Sequence, residues 1–322
     1  MRRVVYPLLA LTTILAGAIL WGYAQFTRPG PLSASATLVI PKGAGLERIA
    51  TQLHGAGVLS DPLVFRLGAR VLGVHKTLRA GEYAIPAGAS ARAVLDILNR
   101  GKTVVRRLTL AEGLTTRDII ARLEATEGLE GRVWPIPAEG RLLPETYHFS
   151  HGALRQDVVR RMSRAMTETL AELWEARAGG LPLATPGEAL ILASIVEKET
   201  AVPEERPRVA RVFLNRLARG MRLQSDPTVV YALTGGTGTL GRLLTRADLK
   251  TPSPYNTYLN DGLPPMPITN PGRASLAAVL RPVPSDELYF VADGRGGHVF
   301  ARTLAEHNRN VAKWRKMHKD RH

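Results

Sequence analysis

The sequence predicts an α+β protein carried on one transmembrane helix, with a small α+β module followed by a larger, mixed, helix-rich α+β domain. Three observations predict it. An uncharged apolar run over 4–26 follows Met1, Arg2 and Arg3. Short strand and helix patterns alternate over 37–103. Beyond 104 the chain carries a further strand and then helical patterns.

The apolar run comes first. A hydrocarbon core of about 30 Å needs roughly 20 helical residues at about 1.5 Å each, and the run supplies them. A cleaved signal peptide has a shorter apolar region, about 7 to 15 residues. The run also ends in Trp21, Tyr23 and Phe26, aromatic residues suited to a membrane interface. Arg2 and Arg3 favour the cytoplasmic side, so residues 1–3 form a cytoplasmic stub and everything beyond Thr27 is exported. The expected location is the cell inner membrane, single-pass, with the bulk of the chain in the periplasm.

The roughly 295 exported residues suffice for two domains of ordinary size, and 45% apolar composition is enough to build their cores. The chain has no cysteine, which excludes disulfides, thiolate nucleophiles and Cys-ligated zinc. A net charge of +15 would suit phosphate backbones. Export argues against nucleic acid, however, and the 35 Arg and 8 Lys are spread along the chain rather than clustered. The charge fits anionic surroundings such as lipid head groups or a carboxylate-bearing wall polymer. The basic stretch from Lys313 to Arg321 adds to it, or forms a solvated final helix.

Residues 27–36, with Pro29, Gly30, Pro31 and a Ser/Ala run, read as a linker. The module over 37–103 then opens with a strand at Thr37–Ile40. A helix over Leu46–Leu53 puts Leu46, Ile49, Ala50 and Leu53 on one face, and a second helix spans Pro62–Val71. Gly81–Ile85 reads as a strand, and Ser90 caps a helix ending near Gly101. Strand, two short helices and strand resemble a LysM-type glycan-binding module; a spacer without a ligand has the same pattern. Gly101-Lys102-Thr103 imitates the end of a phosphate-binding loop, but Asp96 stands where the first glycine is required.

The larger domain, 104–322, begins with a strand over Val104–Leu110 and a helix capped by Thr115 or Thr116 and running through Leu123. Further on, Thr185-Pro186-Gly187-Glu188 combines a capping Thr, Pro at the first helical position and Glu three residues after the cap. The helix it starts is apolar on every side and runs into Glu197, Lys198 and Glu199, so it should be buried. At about 100° per residue Glu197 lies over Leu190, Ala193 and Ser194, and Glu199 lies near Leu192 and Ile195. At least one carboxylate therefore emerges from an apolar wall, where desolvation raises its pKa and fits it for general-acid work. The same spacing also allows both glutamates to lie in a solvated last turn or to pair with arginines.

Several blocks carry a resemblance. Ala193-Ser194-Ile195-Val196-Glu197-Lys198-Glu199-Thr200 is followed by Arg211-Val212-Phe213-Leu214-Asn215-Arg216-Leu217, and then by Met221 to Tyr231 with Gln224-Ser225-Asp226-Pro227. Ser253-Pro254-Tyr255-Asn256-Thr257-Tyr258, Ile268-Thr269-Asn270-Pro271-Gly272, Tyr289 to Gly294, Gly297-His298 and Glu306-His307-Asn308 come next. Glu139 to Tyr147 precedes them. In order, these blocks resemble the MltG-type endolytic murein transglycosylases, also called YceG-like, over nearly the whole chain.

The resemblance implies a lyase that cuts the bond from N-acetylmuramic acid to N-acetylglucosamine inside a peptidoglycan strand and leaves a 1,6-anhydro end. It places the catalytic acid at Glu197, with no cofactor and no metal. It also implies work beside peptidoglycan synthases, the penicillin-binding proteins, limiting the length of nascent strands. An internal nucleophile, the muramoyl C6 hydroxyl, removes the need for the second carboxylate of ordinary glycoside hydrolysis.

A sugar site also needs donors, acceptors and a stacking face, which Gln224, Ser225, Asp226, Tyr255, Asn256 and Tyr258 can supply. Asp226 could instead cap a helix over Thr228–Leu233, and Asn256 could brace its Pro-rich loop. Glu145 is a further carboxylate candidate. His298 and His307 lack metal-ligand spacing and read as structural. Gly236, Gly238 and Gly241 match a dinucleotide fingerprint but follow a helical pattern rather than a strand, so they read as a loop. No GxSxG elbow occurs. Two other functions fit less of the pattern: a non-catalytic wall-binding scaffold, and a water-using muramidase with Glu145 or Asp226 as its second carboxylate.

Overall fold

The computed structural model describes residues 2–237 and 239–319. Its chain divides into two compact units, one of residues 1–106 and 148–153, the other of residues 107–147 and 154–322. The architecture is α+β and rich in helix.

The first unit begins with α1 (Arg2–Thr27). Its stretch Leu9–Thr27 is long and apolar enough to cross a membrane, and large side chains such as Leu9, Ile14, Leu20 and Trp21 stand exposed along it. A small core follows, built from β1 (Ala36–Ile40), α2 (Leu46–Gly55), α3 (Pro62–Val71), β2 (Gly81–Ile85) and α4 (Ala91–Arg100). The two strands pair antiparallel, from Ala36 opposite Ile85 to Ile40 opposite Gly81.

Ile49, Leu53, Phe65, Tyr83, Val94 and Leu98 fill the space between sheet and helices, joined by Phe26 from the end of α1. Side chains define the helix starts: Asp61 accepts from Leu63 N–H, and Ser90 from Ala93 N–H. Gly101 closes α4 in the left-handed conformation that glycine adopts without strain. The segment read as a linker lies against this core. Gly30 N–H donates to Gly88 O, Gly88 N–H to Leu32 O, and Leu32 packs on the apolar cluster. Its prolines fix an extended backbone that a neighbouring loop can pair with.

The chain passes between the units along β3 (Val105–Thr109) and, returning, β5 (Thr146–Ser150). The second unit holds α5 (Thr116–Ala125), started by a capping box between Thr115 and Asp118. A short pair, β4 (Leu129–Glu130) and β6 (Ala153–Leu154), precedes α6 (Arg155–Glu175).

α7 (Pro186–Glu199) follows, its Thr185 cap accepting from Glu188 N–H as the sequence predicts. Next come α8 (Arg206–Ala218), α9 (Asp226–Thr234) and α10 (Arg273–Leu280). The hairpin of β7 (Tyr289–Ala292) and β8 (His298–Ala301) and the terminal α11 (Leu304–Lys319) complete the unit. Leu192, Ile195 and Val196 of α7 interlock with Val209 and Phe213 of α8 and Leu276 and Val279 of α10, making α7 the central helix of the core. Gly238 of the glycine loop lies outside the described residues, as does the end of the basic tail, 320–322.

Candidate active site

α7 carries two glutamates in its last turn, and the fold separates their surroundings. Glu199, on the stripe of Leu192 and Ile195, lies deep in the wall of a cavity of about 420 Å³. Gln224, Asp226, Tyr258, Arg216, Phe290 and His307 also line it. Burial pushes the Glu199 carboxyl up to about 7. The Ser225 hydroxyl, which donates to Oε1, opposes the rise; nearby Asp226 adds to it, and Arg216 offsets part of it. Tyr258 donates its hydroxyl to Asp226 Oδ1 at 2.6 Å, and burial and that bond together raise the phenol well above its ordinary value.

Arg216 holds this wall together. It belongs to the same stripe of α8 as Val209 and Phe213 and is buried. Its guanidinium donates to Leu288 O at 2.7 Å, Leu223 O at 2.9 Å, Arg222 O at 3.1 Å and Gln224 Oε1 at 3.3 Å. Gln224 sits at φ 53°, a left-handed conformation uncommon for a residue with a side chain. The strain is held by Arg216 on its carboxamide and by Gln224 N–H donating to Thr257 O at 3.1 Å. His307 brings a buried Nδ1 with no protein partner to the same cavity. Burial and the nearby Arg216 lower its pKa, which favours the neutral ring.

Glu197 stands elsewhere. Its Oε2 accepts from Gly272 N–H at 2.9 Å, and its Oε1 lies 3.6 Å from Arg206, which also reaches Glu112 at 3.3 Å. With a side chain only 5% exposed, it faces a cation and a backbone donor. It is not among the residues lining either of the two large cavities. Glu112 feels the crowding: burial first, and then Glu197, raise its pKa. A Cβ at Gly272 would come within 1.8 Å of Glu112 Oε1, so any side chain there would displace the Glu112 carboxylate.

A second cavity, of about 590 Å³, is lined by Tyr231, Tyr255, Ile120, Ile136, Met266, Arg117, Glu124 and Glu139. The two tyrosine rings lie 4.9 Å apart at 51°. Glu139 Oε1 accepts from Thr116 N–H at 2.8 Å, from the Thr116 hydroxyl at 3.1 Å and from Asn270 at 2.9 Å, yet burial still raises its pKa. The cavities share scaffolding. α9 carries Asp226 at one and Tyr231 at the other, and the 253–258 loop likewise divides Tyr258 from Tyr255.

The sequence-predicted residues therefore distribute unevenly. Gln224, Ser225, Asp226 and Tyr258 gather around Glu199, and Tyr255 lines the second cavity. Asn256 is fully buried and braces its loop, donating to Leu249 O at 3.0 Å and Thr251 O at 2.9 Å. Asp226 opens α9 rather than capping a helix that starts at Thr228; the N-cap position belongs to Ser225. Glu145 is exposed at the entry to β5. His298 pairs with Glu205 at 2.7 Å between the hairpin and the segment after α7, a structural tie. Among the described residues no cluster of His, Cys, Asp and Glu could hold a metal ion. Arg216, Tyr231 and Glu139 fall within the resembling blocks but carry no site role in the sequence reading. Arg216 left a signal, a charge on an otherwise apolar helical stripe.

Fold and site together define a helix-rich α+β protein with a raised-pKa carboxyl set in a polar and aromatic cleft. Residues 38–313 match the YceG-like family, and the chain belongs to it. It is 30% identical to an endolytic murein transglycosylase of Bacillus subtilis, over 94% of this chain and 91% of that one. A protein of the same name from Streptococcus pneumoniae is also 30% identical over 86% of this chain, which spans 58% of that longer relative. A crystallised YceG-like protein of Listeria monocytogenes superposes with a TM-score of 0.54 at 31% identity, over 86% of this chain and 99% of that one.

Proposed function

We propose that the chain is an endolytic lytic transglycosylase of peptidoglycan with Glu199 as its general acid and base. One observation carries the assignment: a carboxyl with its pKa raised to about 7 lines a cavity furnished with sugar-binding groups. Protonated, Glu199 gives its proton to the glycosidic oxygen as the bond from muramoyl C1 breaks. The carboxylate then takes the proton of the C6 hydroxyl as that oxygen closes onto C1. Protons and electrons balance without water, and the new end is 1,6-anhydro-N-acetylmuramic acid. Asp226, held by Tyr258, is suited to face the positive charge that develops on the ring. The Gln224 amide and the unpartnered His307 Nδ1 offer hydrogen bonds to hydroxyl and acetamide groups.

An enzyme that cuts inside a strand must seat sugars on both sides of the bond, and the second cavity supports that reading. Tyr231 and Tyr255 offer rings for the apolar faces of sugars, with Glu139 and Arg117 as polar ends. The strand–helix–helix–strand order of the first unit supports a LysM-like, glycan-binding role. The apolar helix supports a single-pass anchor in the inner membrane, with the chain beyond Thr27 exported. Peptidoglycan synthases are the partners this placement favours.

The test is product analysis. Purified glycan strands digested by the chain should gain anhydro ends, seen by mass spectrometry, and Glu199→Gln should abolish them. Glu197→Gln should retain at least a tenth of the activity, because its carboxylate is tied to Gly272 N–H and Arg206 and does not line the cavity that holds Glu199. The reverse outcome would return the acid to Glu197, and reducing ends would indicate attack by water.

A further inference from the structure

We propose that α3 lies in the head-group layer of the bilayer on the exported side, as an apolar strip with a basic edge that seats the first unit on the lipid. The inference rests on α1 being a membrane span.

At 100° per residue, Phe65 and Ala69 mark the face of α3 turned into the core. Leu63, Leu67 and Val71, spaced four apart, fall within an arc of about 80° on another face. They are 50%, 50% and 85% exposed. An isolated exposed leucine needs no explanation, but three large aliphatic residues along nine positions of one helix leave a continuous uncovered strip.

The location of the strip specifies its occupant. The next face round the helix carries Gly68, and the Phe26 ring fills the place of its missing side chain; a Cβ there would lie 2.3 Å from the ring. Phe26 belongs to the last turn of α1, at the end of the apolar stretch Leu9–Thr27. The strip is therefore pinned beside the point where the spanning helix leaves the hydrocarbon, a depth at which an aromatic belt also sits. Arg70 follows on the opposite flank beyond Arg66, whose guanidinium pairs with Glu47 at 3.0 Å, and Arg28 stands just past α1. An amphipathic helix of this kind lies in the interface plane, with its apolar face in the acyl boundary and its cations toward lipid phosphates.

The chain contains no cysteine, so single labels can be placed cleanly. The full chain would be reconstituted in vesicles of phosphatidylethanolamine and phosphatidylglycerol, with a nitroxide at Ile14→Cys, Leu67→Cys or Leu243→Cys. Accessibility would be read against oxygen, which partitions into lipid, and a water-soluble nickel complex. Leu243 is 90% exposed, lies in the other unit and serves as the aqueous reference. The expected result is an oxygen-to-nickel ratio at Leu67 several-fold above that at Leu243 and approaching that at Ile14. A water-like Leu67 with Ile14 in lipid would overturn the proposal and leave the anchor standing. If Ile14 were also water-like, anchor and proposal would fall together. Leu67 shielded from both reagents, with spin–spin broadening that grows with protein density, would assign the strip to a second copy instead and also overturn the proposal.

Discussion

Burial holds the Glu199 carboxyl protonated up to about pH 7, and its proposed role as general acid consumes that proton. Activity should therefore fall as pH rises through about 7, and the falling limb reports this group. Stability moves in the same direction. The folded pKa lies above the unfolded value of about 4.5, so between the two the native state holds a proton that the unfolded chain has released. Stability is then lost as pH climbs from about 4.5 to 7 and is level above that. The loss is on the order of 3 kcal/mol at 1.36 kcal/mol per unit. Glu199→Gln removes the ionisable group, so this variant should melt several degrees higher than the parent at pH 8 and show no such gain at pH 4, measured by thermal denaturation. An inactive variant that is more stable only at high pH would separate a catalytic acid from a structural one.

Single elements depend on groups that the sequence exposes to different degrees. Thr185→Ala should cost about 1 kcal/mol in denaturant unfolding, because Thr185 satisfies the N–H of Glu188 at the start of the central helix. That cap was legible: three local signals agree within four residues, and cap chemistry is local. Gly30 was not legible as a packing residue. A Cβ there would lie 2.4 Å from Ala89 O and 2.8 Å from Val58 O, backbone atoms brought together by tertiary folding alone. Gly30→Ala should accordingly destabilise the first unit by about 1–3 kcal/mol, checked by the same unfolding curves. The two glutamates of α7 show the same division. Helical spacing predicts that a carboxylate emerges from an apolar wall. Which of them opens to a cavity depends on Ser225, Asp226 and Tyr258 arriving from 26 or more positions along the chain, and on Arg206 and Gly272 claiming the other.

At the scale of the whole chain, the order of apolar helix, small α+β part and larger helix-rich part follows from apolar periodicity, which is a local property. The helices α6 and α8 were less visible, because arginines stand among their apolar positions, and one of them, Arg216, is itself buried. The proposed anchor makes one more prediction, concerning concentration rather than chemistry. A chain confined to a bilayer meets strands growing from that bilayer at an effective concentration that free solution does not supply. Deleting residues 2–24 removes most of α1 and keeps Phe26, which the core of the first unit needs. The truncated chain should turn over soluble, isolated strands at an unchanged rate. Against strands polymerised from lipid-linked precursor in the same vesicles, it should cut at least ten-fold more slowly than the full chain at equal nanomolar concentration, with the gap closing as enzyme is added. Counting anhydro ends per strand by mass spectrometry in both settings makes the comparison. An equal loss in both would mean that the deletion had damaged the site, and an equal rate in both would mean that anchoring contributes nothing to which strands are cut.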